Sequence, residues 1–367
     1  MTTLKDKVEW HIDNGSPEDL SRMIIELYEK NNQEALSHVI MLSLCDFGGI
    51  TQKMEYQNIA ALGTLHWGIE GLQELTKATI EKGGFRALNN ISRLISHISS
   101  RTLNDFLFSK FNFESIKKLE LESDNYKNTE WVKTAKECLI TLAREAEKDD
   151  KFPIGLMQNL GFSINEQAQE HMFAALMARW FNLDRHGIEN YLELVNLIGK
   201  DEIDYQNYLK KNPYILEPFH SQIWSKPRFG ESLIPDFLIR SMDDSYTVVE
   251  IEKADFQIMT KAGELSSKAT HAKRQALDFR DWAINNNLYA IKRFPEIYRP
   301  FCLVVIGRES ELDEMQTLRL KQENESTQGI LKIVGFDWLY KRAKATFDNI
   351  VNYGFERDKY NETIEEE

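Results

Sequence analysis

The spacing of hydrophobic residues divides the chain into a helical first half and a second half of mixed character. Between residues 1 and 197, apolar side chains return every three or four positions, a spacing that predicts amphipathic helices. One such stripe consists of Leu20, Met23, Ile24 and Leu27. Ser16-Pro17 directly before it is typical of a helix start, and Gly83-Gly84 marks a later break. Successive helices with short breaks predict an all-α, solenoid-like domain.

The second half opens with the pattern of a β-hairpin. Two apolar runs rich in β-branched residues, at 233–240 and 246–253, are joined by five polar residues. Further along, the predicted elements are a helix from Thr270 to Trp282, strands at 300–307 and 331–336, and helices at 309–320 and 338–347. Strands and helices in this order predict a mixed sheet with helices on its faces. The predicted fold class is therefore α+β, with an N-terminal all-α domain followed by an α/β domain.

Charge is distributed unevenly along the chain. The net charge of −13 argues against a general nucleic-acid coat protein, because phosphate binding is electrostatic. Residues 201–345 nevertheless hold 21 Lys and Arg against 22 Asp and Glu, whereas residues 346–367 hold 2 against 7. We predict a helical regulatory or sensing domain at 1–197, an α/β domain at 198–347 and an acidic C-terminal tail at 348–367.

Two features of the sequence favour a cytoplasmic protein that does not associate with membranes. The N-terminus lacks a basic segment followed by an apolar one, and no apolar run approaches the roughly 18 residues of a membrane span. Cys45, Cys138 and Cys302 are widely scattered and odd in number, as is typical of reduced thiols rather than of a disulfide framework.

Three acids interrupt the apolar runs of the hairpin. Asp236 lies in the first run, and Glu250 and Glu252 lie in the second. Because side chains on a strand alternate between its faces, Glu250 and Glu252 point the same way, and Asp236 is within reach in a suitable register. Carboxylates buried together are costly unless a cation pairs with them. One interpretation is a Mg²⁺ or Mn²⁺ site formed by all three, and the other is an ordinary half-buried strand whose acids face water.

Five short motifs follow one another in the second half. They are Asp204 to Pro213, Ile234-Pro235-Asp236-Phe237, Val249 to Lys253, Thr260 to Gly263, and His271-Ala272 through Gln275 to Trp282. Their order resembles the PD-(D/E)xK nuclease superfamily and, more narrowly, the Shedu family of bacterial antiphage nucleases. The resemblance covers about residues 200 to 345. It implies a restriction-endonuclease-like fold for the second domain and assembly of the chain into a dimer or tetramer.

The resemblance also implies a catalytic role for the hairpin acids, with one departure. Asp236 and Glu250 take the positions of metal ligands, but the Lys that usually stands two residues after the second acid is replaced by Glu252. Either Glu252 serves as general base or further ligand, or Lys253 turns inward through a bulge. A third possibility is that the site is degenerate and binds DNA without cutting it.

The same resemblance implies roles for two further polar residues. Gln275, at the edge of the predicted helix, would position the attacking water or a phosphate. Asp204 takes the place of an acid on the opening helix that supports the metal through water, although an acid near a helix start often serves only as a cap.

Basic residues concentrate beside the predicted site. Residues 253–293 hold eight Lys and Arg against four Asp and Glu. We predict that DNA lies along this segment and contacts Lys261, Lys268, Lys273 and Arg274. For any single one of these residues, a solvent-facing helix surface is an equally good interpretation.

Three functions are compatible with these patterns. The first is a Mg²⁺- or Mn²⁺-dependent endodeoxyribonuclease that cuts or nicks phage or plasmid DNA in bacterial defence and acts as a homo-oligomer. The second is a catalytically degenerate module that binds DNA or protein on a nuclease-like fold. The third is a helical-repeat interaction protein whose second domain only dimerises.

Overall fold

A computed structural model describes residues 6–7, 10, 14, 17–45, 51–103, 128–145, 165–230 and 233–355. The fold is α+β, as predicted, with a helical N-terminal region followed by a mixed five-stranded sheet and its helices. The described residues form two compact units. The first extends to Trp180 and also includes residues 350–355, and the second is Phe181–Asn349.

The first unit is helical throughout its described residues. Its helices are α1 (Pro17–Lys30), α2 (Gln33–Leu44), α3 (Thr51–Thr64), α4 (Gly68–Lys82), α5 (Phe85–Ser99), α6 (Thr129–Glu145) and α7 (Glu166–Trp180). Met23, Ile24 and Leu27 are buried, in keeping with the predicted stripe. The break after α1 is stabilised by Asn32, whose side-chain oxygen accepts a hydrogen bond from the Ala35 backbone N–H at 2.8 Å.

The second unit contains a mixed sheet between helices. Its elements are α8 (Arg185–Asn196), α9 (Glu202–Lys211), β1 (His220–Ser225), β2 (Phe237–Ser241), β3 (Tyr246–Ile251), α10 (Ser267–Asn285), α11 (Asn287–Ala290), β4 (Phe301–Val305), α12 (Glu314–Ser326), β5 (Leu331–Val334) and α13 (Phe336–Phe347). The strand order is β1-β2-β3-β4-β5. The first three strands pair antiparallel, and β3, β4 and β5 pair parallel. Strand β1 was not predicted, because its polar sequence shows no alternation.

The hairpin register brings the two ends of β2 and β3 together. Phe237 pairs with Val249, so that Asp236, directly before β2, stands opposite Glu250 on β3. The chain then crosses over the sheet through α10, whose buried stripe is made of small residues: Ala269, Ala272, Ala276 and Ala283, with Phe279. Small side chains let the helix approach the strands closely, and part of this stripe packs in one core with Val304 and Ile306.

Gly307, two residues after the end of β4, is required by a close backbone approach. Its φ is +63°, and a Cβ atom there would lie 2.3 Å from the Phe256 carbonyl oxygen. Its N–H donates a hydrogen bond to the Lys253 carbonyl at 3.1 Å. A glycine at this position therefore allows the segment after β3, which follows the predicted acids, to lie against the end of β4.

The boundaries of the two units differ in part from the predicted domain boundaries. Residues 181–197 belong to the second unit, where α8 packs against α13, whereas the sequence analysis placed them in the helical domain. The predicted acidic tail began at residue 348, yet Asp348–Asn352 forms a π-helix and Tyr353–Phe355 a short α-helix, with Val351 and Phe355 buried. The rest of that tail lies outside the described residues. No helix among the described residues is long and apolar enough to cross a membrane.

Candidate active site

Two buried carboxylates meet where β2 begins and β3 ends. Asp236 is 8% exposed and Glu250 is 9% exposed. The Asp236 carboxylate accepts a hydrogen bond from the Ile251 backbone N–H at 2.8 Å, and the Glu250 carboxylate accepts one from the Asp236 backbone N–H. Each acid is thus held by the backbone beside the other, which follows from their opposed positions in the hairpin register.

A glutamine on α9 links this pair to a third acid. Gln206 is buried, and its Nε2 donates hydrogen bonds to Asp236 Oδ1 and to Glu202 Oε1, both at 2.6 Å. Glu202 and Gln206 are four residues apart and therefore lie on the same face of the helix. Neither was predicted. The spacing Glu202-x-x-x-Gln206 is visible in the sequence, but nothing in the sequence shows that this face of α9 meets β2.

Burial raises the pKa of both acids of the pair. Burial raises the pKa of Asp236 to about 6, against the Ile251 N–H and Lys226, which lower it, while Glu202 adds to the increase. The pKa of Glu250 is raised to about 9, first by burial and then by the negative charge of Asp236. Two acids that cannot both ionise cheaply beside each other are typical of sites that bind a cation or move protons.

Glu252 lies just beyond the end of β3, and its charge acts on both acids of the pair. Its backbone N–H continues the sheet by donating to the Val305 carbonyl at 2.9 Å, and its side chain is half-buried. Burial raises the pKa of this carboxyl, and the positive charge of Lys268 opposes that effect. The structure therefore joins Asp236 and Glu250 through backbone hydrogen bonds and places Glu252 near both of them and near Lys268 on α10.

Lys253 has a partner outside the acid pair. Its Nζ forms an ion pair with Asp201 Oδ1 at 2.6 Å, at the start of α9. This hydrogen bond raises the pKa of Lys253. The side chain thus points to the rim of the site rather than between Asp236 and Glu250, and the backbone before it contains no bulge that would turn it inward.

Asp204 caps its own helix. Its carboxylate accepts a hydrogen bond from the Asp201 backbone N–H at 3.1 Å, as half of a capping box with Asp201. The supporting role implied for it by the family resemblance does not fit this geometry. Glu202, two residues earlier, is the α9 acid that reaches the buried pair through Gln206.

Gln275 is half-buried on α10, on the flank that faces Glu252. At about 100° per residue, Lys268, His271 and Gln275 share one flank of the buried alanine stripe. The charges of Lys268 and His271 act on the Glu252 carboxyl, which shows that this flank lies beside the end of β3. The predicted direction of Gln275 is compatible with this arrangement.

Of the four predicted DNA contacts, Lys273 is separated from the others by its position on α10 and by an ion pair. Lys273 lies on the opposite flank of α10, in an ion pair with Glu323 at 2.5 Å. Arg274 and Lys261 are exposed, and exposed Lys268 lies 5.3 Å from the centre of the Phe256 ring. The charge of Lys268 acts on Glu252, a predicted catalytic residue, whereas Lys273 is paired with Glu323.

The polar atoms of the pair fit an oxygen-coordinating divalent cation. Among the described residues, Glu250 Oε1 and Gln206 Oε1 are buried acceptors without a hydrogen-bond donor, and each such atom costs about 1–3 kcal/mol. Carboxylate and amide oxygens are ligands that Mg²⁺ and Mn²⁺ accept. No group of three or more His, Cys, Asp or Glu in the described part of the chain stands ready to hold a metal ion. The side chains present thus supply two adjacent carboxylates and a nearby amide oxygen.

A mixed sheet with two adjoining carboxylates at the end of its central hairpin defines an α/β unit with a candidate hydrolytic site. The family model described as Shedu protein SduA, C-terminal, matches residues 199–340, the segment that holds this unit and its site. Residues 199–340 thus match the C-terminal domain of the Shedu family, as the motifs predicted. No curated protein matches the sequence. This domain match suggests a part in the Shedu antiphage system.

Proposed function

We propose that this chain is a Mg²⁺- or Mn²⁺-dependent endodeoxyribonuclease that cuts or nicks invading DNA, with Asp236 and Glu250 at its catalytic centre. The observation that carries the proposal is the buried pair itself. Among the described residues, no basic side chain is bonded to either carboxyl, and Glu250 Oε1 accepts no hydrogen bond.

Structural need alone does not account for such a pair. Two apolar residues of similar size would spare the protein the desolvation of both carboxyls. Burial, together with the negative charge of Asp236, raises the pKa of Glu250 to about 9. Clusters of this kind are typical of functional sites, where a bound cation or a transferred proton compensates the cost. The family match over the same residues supports that interpretation.

Each residue of the site has a proposed role that follows from its contacts. Asp236 and Glu250 would hold the divalent ion, and Gln206 would link Asp236 to Glu202 beside it. The bound ion would polarise a phosphodiester oxygen and lower the pKa of a water molecule. Gln206 and the Ile251 N–H fix the orientation of the Asp236 carboxylate, so that its oxygens are placed before any ligand arrives.

Glu252 is the proposed general base. It is half-buried beside the pair, its raised pKa brings it nearer to the operating pH, and one of its carboxylate oxygens would accept the proton of the attacking water. Lys268, whose charge acts on Glu252, would contact a phosphate of the scissile strand. Gln275 on the same flank of α10 would hydrogen-bond the water or the phosphate. The Asp201 ion pair leaves Lys253 without a direct part in this scheme.

The biological role proposed is defence against phage DNA, with plasmid DNA as a second substrate. The domain match supports this role. We also propose that the chain acts as a homodimer or homotetramer, since a nick on each strand of a duplex is most simply made by two copies related by symmetry. Sedimentation of the full chain would measure that state.

Nicking of supercoiled plasmid by the full chain tests the catalytic assignment. Wild type is expected to relax the plasmid with Mg²⁺ or Mn²⁺ and to leave it intact in EDTA. Asp236→Asn and Glu250→Gln should each lower the rate at least a hundredfold, because each removes a carboxylate from the centre. Glu325→Gln, an exposed glutamate at the end of α12, serves as the matched control. Equal nicking by all four proteins would refute the assignment.

A second function is favoured by one observation. The position of the usual lysine is Glu252, and the adjacent Lys253 is bound to Asp201. A degenerate nuclease fold that binds DNA or protein without cutting would have the same features. It predicts unchanged DNA affinity in Asp236→Asn and no nicking by wild type with any divalent ion.

A further inference from the structure

A short segment of the second unit exposes large apolar side chains to solvent. Residues 287–300 include α11 and the chain that leads to β4. Leu288 is 80% exposed, Tyr289 is 64% exposed and Tyr298 is 58% exposed. Single exposed apolar residues are ordinary, but adjacent ones on one segment mark an interaction surface more often than chance.

This segment is fixed to the sheet, so that its exposed side chains are presented in a defined place. Asn287 Nδ2 donates a hydrogen bond to the Ile297 carbonyl at 2.7 Å and closes the segment into a loop. Phe294 and Ile297 are buried in the aromatic core beside Phe229. The Tyr289 ring meets Trp282 edge-on, with 6.1 Å between the ring centres. A rigid aromatic side chain binds a flat ligand without a large loss of conformational entropy.

The surroundings of these apolar residues are basic. Segments 226–230 and 287–300 together carry five exposed bases: Lys226, Arg228, Lys292, Arg293 and Arg299. Their one acid, Glu296, is paired with Arg240 at 3.2 Å. The two segments are in contact, because Arg293 Nη1 donates a hydrogen bond to the Arg228 carbonyl at 3.1 Å. In a chain of net charge −13, such a local excess of positive charge is suited to a polyanion.

The same segments lead directly to the acid pair. The Lys226 backbone N–H donates a hydrogen bond to the Asp236 carbonyl at 2.8 Å, and the Lys226 charge acts on the Asp236 carboxyl. Arg228 is two residues from Lys226, and Arg293 contacts the backbone of Arg228. A DNA strand that contacts these basic side chains can therefore continue towards Asp236.

We propose that the surface formed by Arg228, Leu288, Tyr289, Lys292 and Arg293, which we call the Tyr289 surface, binds single-stranded DNA beside the acid pair. Tyr289 and Leu288 pack against the face of an unpaired base, and the three cationic side chains bind the flanking phosphates. Aromatic residues beside a basic groove are the usual means of binding single strands, since every base offers a flat apolar face. Duplex DNA hides these faces in its stack, so phosphate contacts alone would not explain exposed Leu288 and Tyr289.

This inference rests on the proposed function only in taking DNA as the ligand. It adds a preference for unpaired nucleotides. It also adds a binding surface that contains none of the four DNA contacts predicted within residues 261–274. The preference implies that the substrate is partly unpaired where it meets the Tyr289 surface, as in a gap, a flap or a melted stretch next to the cut.

Binding of fluorescent oligonucleotides to the full chain in EDTA tests the proposal without cleavage. The probes are a single-stranded oligothymidine and a hairpin duplex with the same number of phosphates, followed by fluorescence anisotropy. Wild type is expected to prefer the single strand. Tyr289→Ala and Leu288→Ala should each weaken single-strand binding, Tyr289→Ala roughly tenfold, and change duplex binding far less. Leu318→Ala, an exposed leucine on α12, is the matched control and should change neither.

Charge variants separate stacking from phosphate contact. Lys292→Gln should reduce the dependence of the affinity on salt by about one phosphate contact, whereas exposed Lys321→Gln on α12 should not. Circular dichroism of each variant verifies that the fold is kept.

The outcomes distinguish this inference from the proposed function. Metal-dependent nicking by wild type together with unchanged single-strand affinity in Tyr289→Ala would overturn the inference alone. Wild type that neither binds nor cuts DNA would overturn both. Equal losses for single-stranded and duplex probes would contradict the stacking role. A change in sedimentation of Tyr289→Ala with DNA affinity unchanged would show a contact between copies of the chain and would also overturn it.

Discussion

Replacing Glu250 with glutamine should make the metal-free protein more stable at alkaline pH while it removes activity. The side-chain amide keeps the size of the carboxyl and can still accept the hydrogen bond from the Asp236 N–H through its oxygen. Its nitrogen then occupies the place of Oε1, which has no donor among the described residues. The substitution therefore removes an ionisable group without removing a described hydrogen bond.

The sign of the effect follows from proton uptake. Burial and Asp236 raise the pKa of Glu250 from its ordinary value of 4.5 to about 9, so that the folded protein retains a proton that the unfolded chain releases. The free energy of unfolding thus falls as the pH rises between these two values. At about 1.4 kcal/mol per pH unit, the loss from pH 5 to pH 8 is at most about 4 kcal/mol. Asp236, whose pKa is raised from 3.8 to about 6, lowers the free energy of unfolding further as the pH rises, and this contribution ends near pH 6.

Thermal unfolding in EDTA at half-unit pH steps from 5 to 8.5 measures this difference. For a domain of 150–250 residues, 4 kcal/mol corresponds to roughly 8–16 °C in Tm. The transition of wild type should therefore move down with rising pH, while that of Glu250→Gln stays nearly level above pH 6 and lies higher at pH 8. Glu325→Gln is expected to follow wild type. Parallel slopes for wild type and Glu250→Gln, or a lower Tm for Glu250→Gln at pH 8, would refute the reasoning.

Three further predictions concern the surroundings of the pair. Lys253→Gln should leave plasmid nicking close to wild type, because its partner is Asp201; a loss comparable to that of Asp236→Asn would restore Lys253 to the catalytic centre. Gln206→Leu, which leaves Asp236 Oδ1 without its donor, should lower the nicking rate roughly 10–100-fold while DNA affinity in EDTA is unchanged; a loss of affinity instead would give Gln206 a role in binding. Gly307→Ala should cost more stability than Gly329→Ala, measured as Tm, since both glycines have positive φ but only Gly307 faces a carbonyl oxygen at 2.3 Å; equal costs would mean that the segment after β3 moves freely.

Much of the fold was predictable because its signals are local. Two apolar runs rich in β-branched residues predicted β2 and β3, whereas the register that opposes Asp236 to Glu250 was left open. The apolar spacing also located α10 and the two parallel strands that follow. These patterns depend only on which face of an element is buried, and a sequence displays that directly.

The parts that were not predicted depend on how separate elements dock. Glu202 and Gln206 occupy a face of α9 whose partner, β2, lies thirty residues away, so their role depends on packing. The ion pair of Lys253 with Asp201 was not predicted, because it depends on where the start of α9 docks, whereas the capping role of Asp204 was one of the two interpretations open from the sequence. Strand β1 joins an edge of the sheet with a polar sequence, where neighbouring backbone rather than apolar burial determines the structure.

Binding of Mn²⁺ to the full chain, followed by electron paramagnetic resonance, is the most direct test of the claim that Asp236 and Glu250 hold a divalent cation. The account predicts saturable binding to wild type at neutral pH, competition by Mg²⁺, and loss of that binding in both Asp236→Asn and Glu250→Gln with the fold intact. Mn²⁺ bound equally by wild type and both variants, or by none of them at millimolar concentration, would contradict it.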